Sequence, residues 1–197
     1  MKPHHMPKLP RTDAAPVLRT DFTDPAGWDR LLRALETPVT HEEGSEDVCA
    51  YDRAVSYVTP VDKEKYRGLL PDLVLAAAPY TGHDLPYDHL YLADAETFAS
   101  DDLPLLGIDI HLDDEGDEPW PREKPFRIPA LQVTGVEIND SIANLFFREF
   151  YDTDWSGFDV YVAEPGTAVY EEFRRMDVDM DMHQDGEGDE GEEEAVG

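Results

Sequence analysis

Apolar and polar positions along the chain alternate between two rhythms, one of strands and one of helices. PVLRTDF (16–22) is a short run with β preference. Asp21 or Asp24 can then cap a helix running to about Leu35, with Pro25 in its first turn and Trp28, Leu31, Leu32 and Leu35 at helical spacing. THEEGSEDVCA (40–50) is polar and reads as a loop. AVSYVTP (54–60) alternates as a strand does. Asp62 can cap a helix through Tyr66, Leu69, Leu70, Leu73, Val74 and Ala77, broken or kinked at Pro71. DHLYLAD (88–94) predicts a third strand, with a short turn or helix at 95–100 after it. LPLLGIDIHL (103–112), apolar through its first half, predicts a buried central strand.

Beyond a charged loop at 113–125, FRIPAL (126–131) predicts a short strand and 136–152 the last long helix. Its stripe is Ile142, Leu145, Phe146 and Phe150, interrupted by Glu149, with Asn139, Asp140 or Ser141 as the cap. DVYVA (159–163) predicts an edge strand and TAVYEEFRRM (167–176) a terminal helix. Strands alternating with helices favour an α/β fold: a single mixed, mainly parallel sheet flanked by helices. The expected organisation is a loose Pro- and His-rich arm at 1–15, one domain at 16–176 and a disordered acidic tail at 177–197.

Charge changes this picture more than composition does. The 197 residues hold 45 acids against 16 Lys and Arg, a net charge of −29. Ten of the acids lie in 177–194, which has no Lys or Arg, so 35 acids face the 16 basic residues in the body, at −19. Repulsion on that scale favours a monomer or weak dimer and disfavours direct contact with nucleic acid or an anionic membrane. The longest apolar run, LLPDLVLAAAP (69–79), is broken by Pro71 and Asp72 and cannot span a bilayer. With no apolar leader and a single cysteine, Cys49, the expected setting is a reducing cytoplasm.

Three phrases occur in order: LRTDFTDPAGW (18–28), YLADAETF…PLLGIDI (91–110) and FRIP…VEINDSIANLFFREF (126–150). Together they resemble an uncharacterised family of small bacterial proteins, common in actinobacteria and described only as a domain of unknown function. The resemblance rests on Leu18–Phe22 with Trp28, and on Ser141–Asn144 with Phe147, Glu149 and Phe150. It spans roughly residues 10–150, weakens through 40–60, and departs at Phe146, where the family tends to carry an acid. It implies no activity and no catalytic residues.

The familiar chemical signatures are missing. There is no phosphate-cradling glycine loop, no G-x-S-x-G elbow, no H-E-x-x-H and no C-x-x-C. Cys49 sits among carboxylates that disfavour a thiolate. Weaker patterns remain. Asp21, Asp62, Asp94 and Asp113/Asp114 end predicted strands, and in a parallel sheet they would gather at the carboxyl edge, where α/β sheets bind ligands and carboxylates hold divalent metals. Capping and solvation account for most acids so placed. Asp109, His111 and Asp113 alternate along one strand, a carboxylate–imidazole–carboxylate set for acid/base work or metal ligation, with His83 and His89 able to approach it. The bland reading there is a strand face turned to solvent. Glu137, Asn139 and Asn144 can line a polar pocket or close a helix start. Residues 181–192 imitate a calcium loop, with His183 in place of an acid and too little chain after Glu192 for an exiting helix.

The expected function is therefore a non-enzymatic acidic interaction module, of an immunity or accessory type, binding a basic protein partner without a cofactor. The alternatives are a divalent-metal-dependent phosphoester hydrolase with its carboxylates at the sheet's carboxyl edge, a mimic of DNA phosphates, and acidity serving salt adaptation alone.

Overall fold

A computed structural model describes residues 8–81, 85–111 and 124–184. The main sheet has the order β3-β1-β4-β5-β6, formed by β1 (Ala15–Arg19), β3 (Val58–Val61), β4 (His89–Ala93), β5 (Leu105–Asp109) and β6 (Phe126–Ile128). β1 pairs in parallel with β3 and with β4, whereas β5 runs against both β4 and β6. The sheet is thus mixed: parallel on one side, antiparallel on the other, with β5 the reversed strand. β1 and β4 are buried along their whole length, as strands covered on both faces must be.

Alternation along β1 and β4 divides the core. Val17, Tyr91 and Ala93 face a layer built by α1 (Pro25–Glu36), α4 (Val133–Ser141) and the aromatic residues Phe147 and Phe150. Leu18, Leu90 and Leu92 face the other layer, with Tyr66, Leu69, Val74 of α2 (Pro71–Thr81) and Ile108. Of the two caps the sequence offers for α1, Asp24 is the one used: it accepts the Gly27 N–H at 2.8 Å, and Pro25 occupies the first turn. Pro71 opens α2 instead of kinking a longer helix, and the segment before it forms only a 3-10 turn at Glu64–Tyr66. The strand expected at 54–60 begins later, at Val58, after a 3-10 turn at Ala54–Ser56. β7 (Tyr161–Val162) pairs with β2 (Val39–Thr40) in a separate antiparallel ribbon, so the polar 40–50 stretch opens on a strand. α5 (Ala168–Gln184) carries the terminal helix into the acidic stretch, and 185–197 lie outside the described residues. No helix among the described residues is long and apolar enough to cross a membrane.

The helix expected over 136–152 is the main departure. α4 starts earlier and stops at Ser141, Ala143 takes a left-handed backbone (φ 53°), and a separate 3-10 turn follows at Phe147–Phe150. Asn139 and Asp140 cause the stop. The Asn139 carbonyl accepts the Asn144 N–H at 2.9 Å, and the Asp140 side chain accepts the Phe147 N–H at 3.1 Å. Glu149 closes the next turn by accepting the Phe146 N–H at 2.7 Å, which explains an acid within an apolar stripe. Phe147 and Phe150 are buried, while Ile142, Leu145 and Phe146 are exposed.

Candidate functional site

The direction of β5 decides which acids meet. Asp21, Asp62 and Asp94 lie at the carboxyl ends of β1, β3 and β4. Asp109 pairs with His89 at the opposite end of β4, roughly 13 Å away at ~3.3 Å per residue. Asp109 and His111 therefore do not converge with Asp21 and Asp94. Asp113, Asp114 and His83 lie outside the described residues.

At the carboxyl edge the acids are occupied. Asp62 pairs with Arg19 at 3.1 Å, and that guanidinium is itself buried between Phe22 and Trp28. Asp94 takes Arg127 through both oxygens, at 3.0 and 2.7 Å, while also capping α3 (Ala95–Ala99) by accepting the Thr97 N–H. Burial opposes the charge of Asp94, but the Arg127 hydrogen bonds outweigh it and hold the carboxyl below its ordinary value. Asp21 accepts from the Thr23 N–H and hydroxyl in a local turn. These three acids serve caps, turns and ion pairs.

The amino edge is different. A cleft of about 670 Å³ opens there, between the ends of β4 and β5 and the last turn of α4. Its floor is His89, whose side chain is 4% exposed. The ring stacks on Phe147, with centroids 4.2 Å apart and planes 6° from parallel. His89 Nδ1 lies 2.8 Å from Asp88 Oδ1 and Nε2 lies 2.8 Å from Glu137 Oε1. The same Glu137 oxygen accepts the Tyr91 hydroxyl in a short hydrogen bond. Strand period explains the set: His89 and Tyr91 stand two apart on β4 and share the face that α4 covers, where Glu137 meets both.

Burial works against a charged ring at His89, but the Glu137 charge and the hydrogen bonds to Asp88 and Glu137 overcome it, pushing the imidazole up to about 10. It is an imidazolium with both N–H groups donating to carboxylates. The bond from His89, despite partial burial, draws the Asp88 carboxyl below its ordinary value. Asp140 moves the other way: burial raises it against the pull of His89, with the Asp88 and Glu137 charges adding to the rise. The Tyr91 hydroxyl, buried and facing Glu137, holds its proton far above the ordinary range.

This arrangement limits the chemistry. An imidazolium that donates from both nitrogens has no lone pair for a proton or a metal. Asp88, His89 and Asp140 do offer ligand-type atoms within 4.8 Å of one another, yet His89 would have to lose a proton and release a carboxylate to coordinate. The groups left to act at the mouth are Asp88, Asp140 and the exposed Asp13, with His111 Nδ1 3.8 Å from Asp88 Oδ2. No Lys or Arg is among the described residues lining the cleft.

Of the residues singled out from sequence, His89 and Glu137 belong to this site and His111 lines it, while Asp109 pairs with His89 across the strands and stands beside the site, 3.9 Å from Arg148 Nε. Asn139 and Asn144 bond each other at 2.6 Å and hold the turn after α4. Asp88, Tyr91 and Asp140 were missed. Asp88-His89 at a strand start and Glu137 a helix later carry no motif, and the one legible signal was an acid and a histidine opening an otherwise apolar strand.

No curated protein and no solved structure matches the chain. Residues 14–161 match the model of a family described as a domain of unknown function (DUF6924), and the chain belongs to that family.

Proposed function

We propose that this chain is a non-enzymatic binding module whose amino-edge cleft receives a guanidinium or ammonium side chain of a basic protein partner. One observation carries the reading: the carboxyl-edge acids Asp62 and Asp94 are each matched by an arginine, whereas the cleft gathers Asp13, Asp88, Glu137 and Asp140 around one imidazolium, with no Lys or Arg among the described residues that line it. His89 neutralises only one of these charges. A concave, negatively charged site with low-dielectric walls concentrates cations, and the net −29 of the chain steers a basic surface toward it.

Fluorescence anisotropy with a labelled Arg-rich peptide tests this. Binding should weaken as salt rises from ~50 to ~300 mM, as exposed charge pairs are screened. Asp88→Asn with Asp140→Asn should abolish most of it. Asp29→Asn with Glu36→Gln, which removes the same charge from the exposed face of α1, should leave it nearly intact. Equal weakening by both pairs would reduce the effect to net charge and defeat the proposal.

A divalent-metal site is the second reading, favoured by the 4.8 Å grouping of Asp88, His89 and Asp140. It requires the His89 proton to leave, so titration with Zn²⁺ or Mn²⁺ would release a proton on binding. No heat and no proton release would remove it.

A further inference from the structure

The turn that follows the cleft wall carries three large apolar side chains in solvent. Ile142 is 67% exposed, Phe146 56% and Leu145 38%. Scattered exposed apolar residues are ordinary, but here three of them fall within five positions of one turn. The turn is also built to hold them there. Asn144 donates from its backbone to the Asn139 carbonyl at 2.9 Å and from its side chain to Asn139 Oδ1 at 2.6 Å. Asn139 is anchored in turn to the Gly135 carbonyl at 2.7 Å. Phe147 closes the far side, bonded to Asp140 and stacked on His89. Ala143 sits at φ 53°, a left-handed conformation that a non-glycine residue adopts at a cost. Ordering the backbone in advance removes part of the entropy that binding would otherwise lose.

We infer that Ile142, Leu145 and Phe146 form an apolar anchor surface for the same basic partner, whose contacting segment carries an aliphatic or aromatic residue beside its Arg or Lys. This rests on the cleft reading above. Charge complementarity selects the occupant: Ile142 directly follows Asp140 and Ser141 of the cleft wall in the chain, and Asp140 accepts the N–H of Phe147 beside Phe146, so a segment that reaches the anchor also meets this carboxylate. A second copy of this chain, also at −29, is repelled from the same place.

Two peptides of equal charge test it on the full chain, one alternating Arg with Gly and the other Arg with Leu. The Leu peptide should bind the unaltered protein about tenfold more tightly. Ile142→Ser with Phe146→Ser should erase that advantage while leaving Arg–Gly binding unchanged. If both peptides bind alike, the anchor is refuted while the cleft reading stands; if neither binds, the cleft reading falls first. Loss of a sedimenting dimer in the double variant would assign the patch to self-association and overturn the inference. A fall in Tm on the same substitutions would show that these side chains serve the fold, with the same consequence.

Discussion

Replacing Glu137 with leucine removes the acceptor that His89 Nε2 and the Tyr91 hydroxyl share. The surroundings are dry: the His89 and Glu137 side chains are 4% and 8% exposed, and Tyr91 is fully buried. Deleting one member of a buried ion pair costs about 3–5 kcal/mol, because the remaining charge keeps its desolvation and loses its compensation. Asp88 still faces Nδ1 at 2.8 Å, which places the expected loss near the lower end, about 3 kcal/mol. In a domain of this size that is roughly 6–12 °C in Tm.

The pH dependence has a definite sign. The His89 value is raised from 6.5 to about 10 in the folded state. Its contribution is therefore complete below pH 6.5 and is lost as pH rises through about 10. Urea unfolding of the unaltered protein and of Glu137→Leu should show their stability gap widest at pH 6 and narrowing toward pH 10. Glu137→Gln, which keeps an acceptor oxygen and gives up the charge, should lose less than the leucine variant. A leucine variant within about 1 kcal/mol of the unaltered protein, or a gap indifferent to pH, would refute the charged imidazole at the cleft floor.

Gly107→Ala would place a methyl group 2.6 Å from Phe147 Cζ and 3.3 Å from Ile128 Cδ1. Phe147 is pinned between His89 and Phe126, so the substitution should cost about 1–3 kcal/mol in denaturant unfolding. Arg127→Met strips Asp94 of its bidentate partner, and because both side chains are a quarter to a third exposed the loss at neutral pH should be only about 1 kcal/mol. The lowered Asp94 contributes above its ordinary 3.8 and ceases to as pH falls through its folded value, so the two acid-unfolding curves should merge at low pH. Ala143→Gly relieves a left-handed alanine and should raise Tm slightly, by the equivalent of about 0.5–1 kcal/mol in calorimetry; a lower Tm would contradict strain at that turn.

Local physics is what the sequence by itself determined. The Asp24-Pro25 start of α1, the strand at β4 with its Asp94 cap, the apolar β5 and the mixed α/β class all follow from period, propensity and capping chemistry within a few residues. The −29 charge is likewise a property of composition. Tertiary structure decided the rest. Whether β5 runs with or against β4 depends on partners far along the chain, and that one choice moved Asp109 and His111 from the carboxyl edge to the amino edge. In 142–150 the spacing pointed to a buried stripe of Ile142, Leu145, Phe146 and Phe150. The chain instead breaks at Ala143, because Asn139 and Asp140 can satisfy its N–H groups and because Phe147 fills the space beside His89. For the same reason the candidate site showed in the sequence only as the separate residues His89, His111 and Glu137, not as a constellation. His89 meets Glu137 across 48 residues of chain, and only the packing of α4 on the sheet brings the carboxylate to the imidazole.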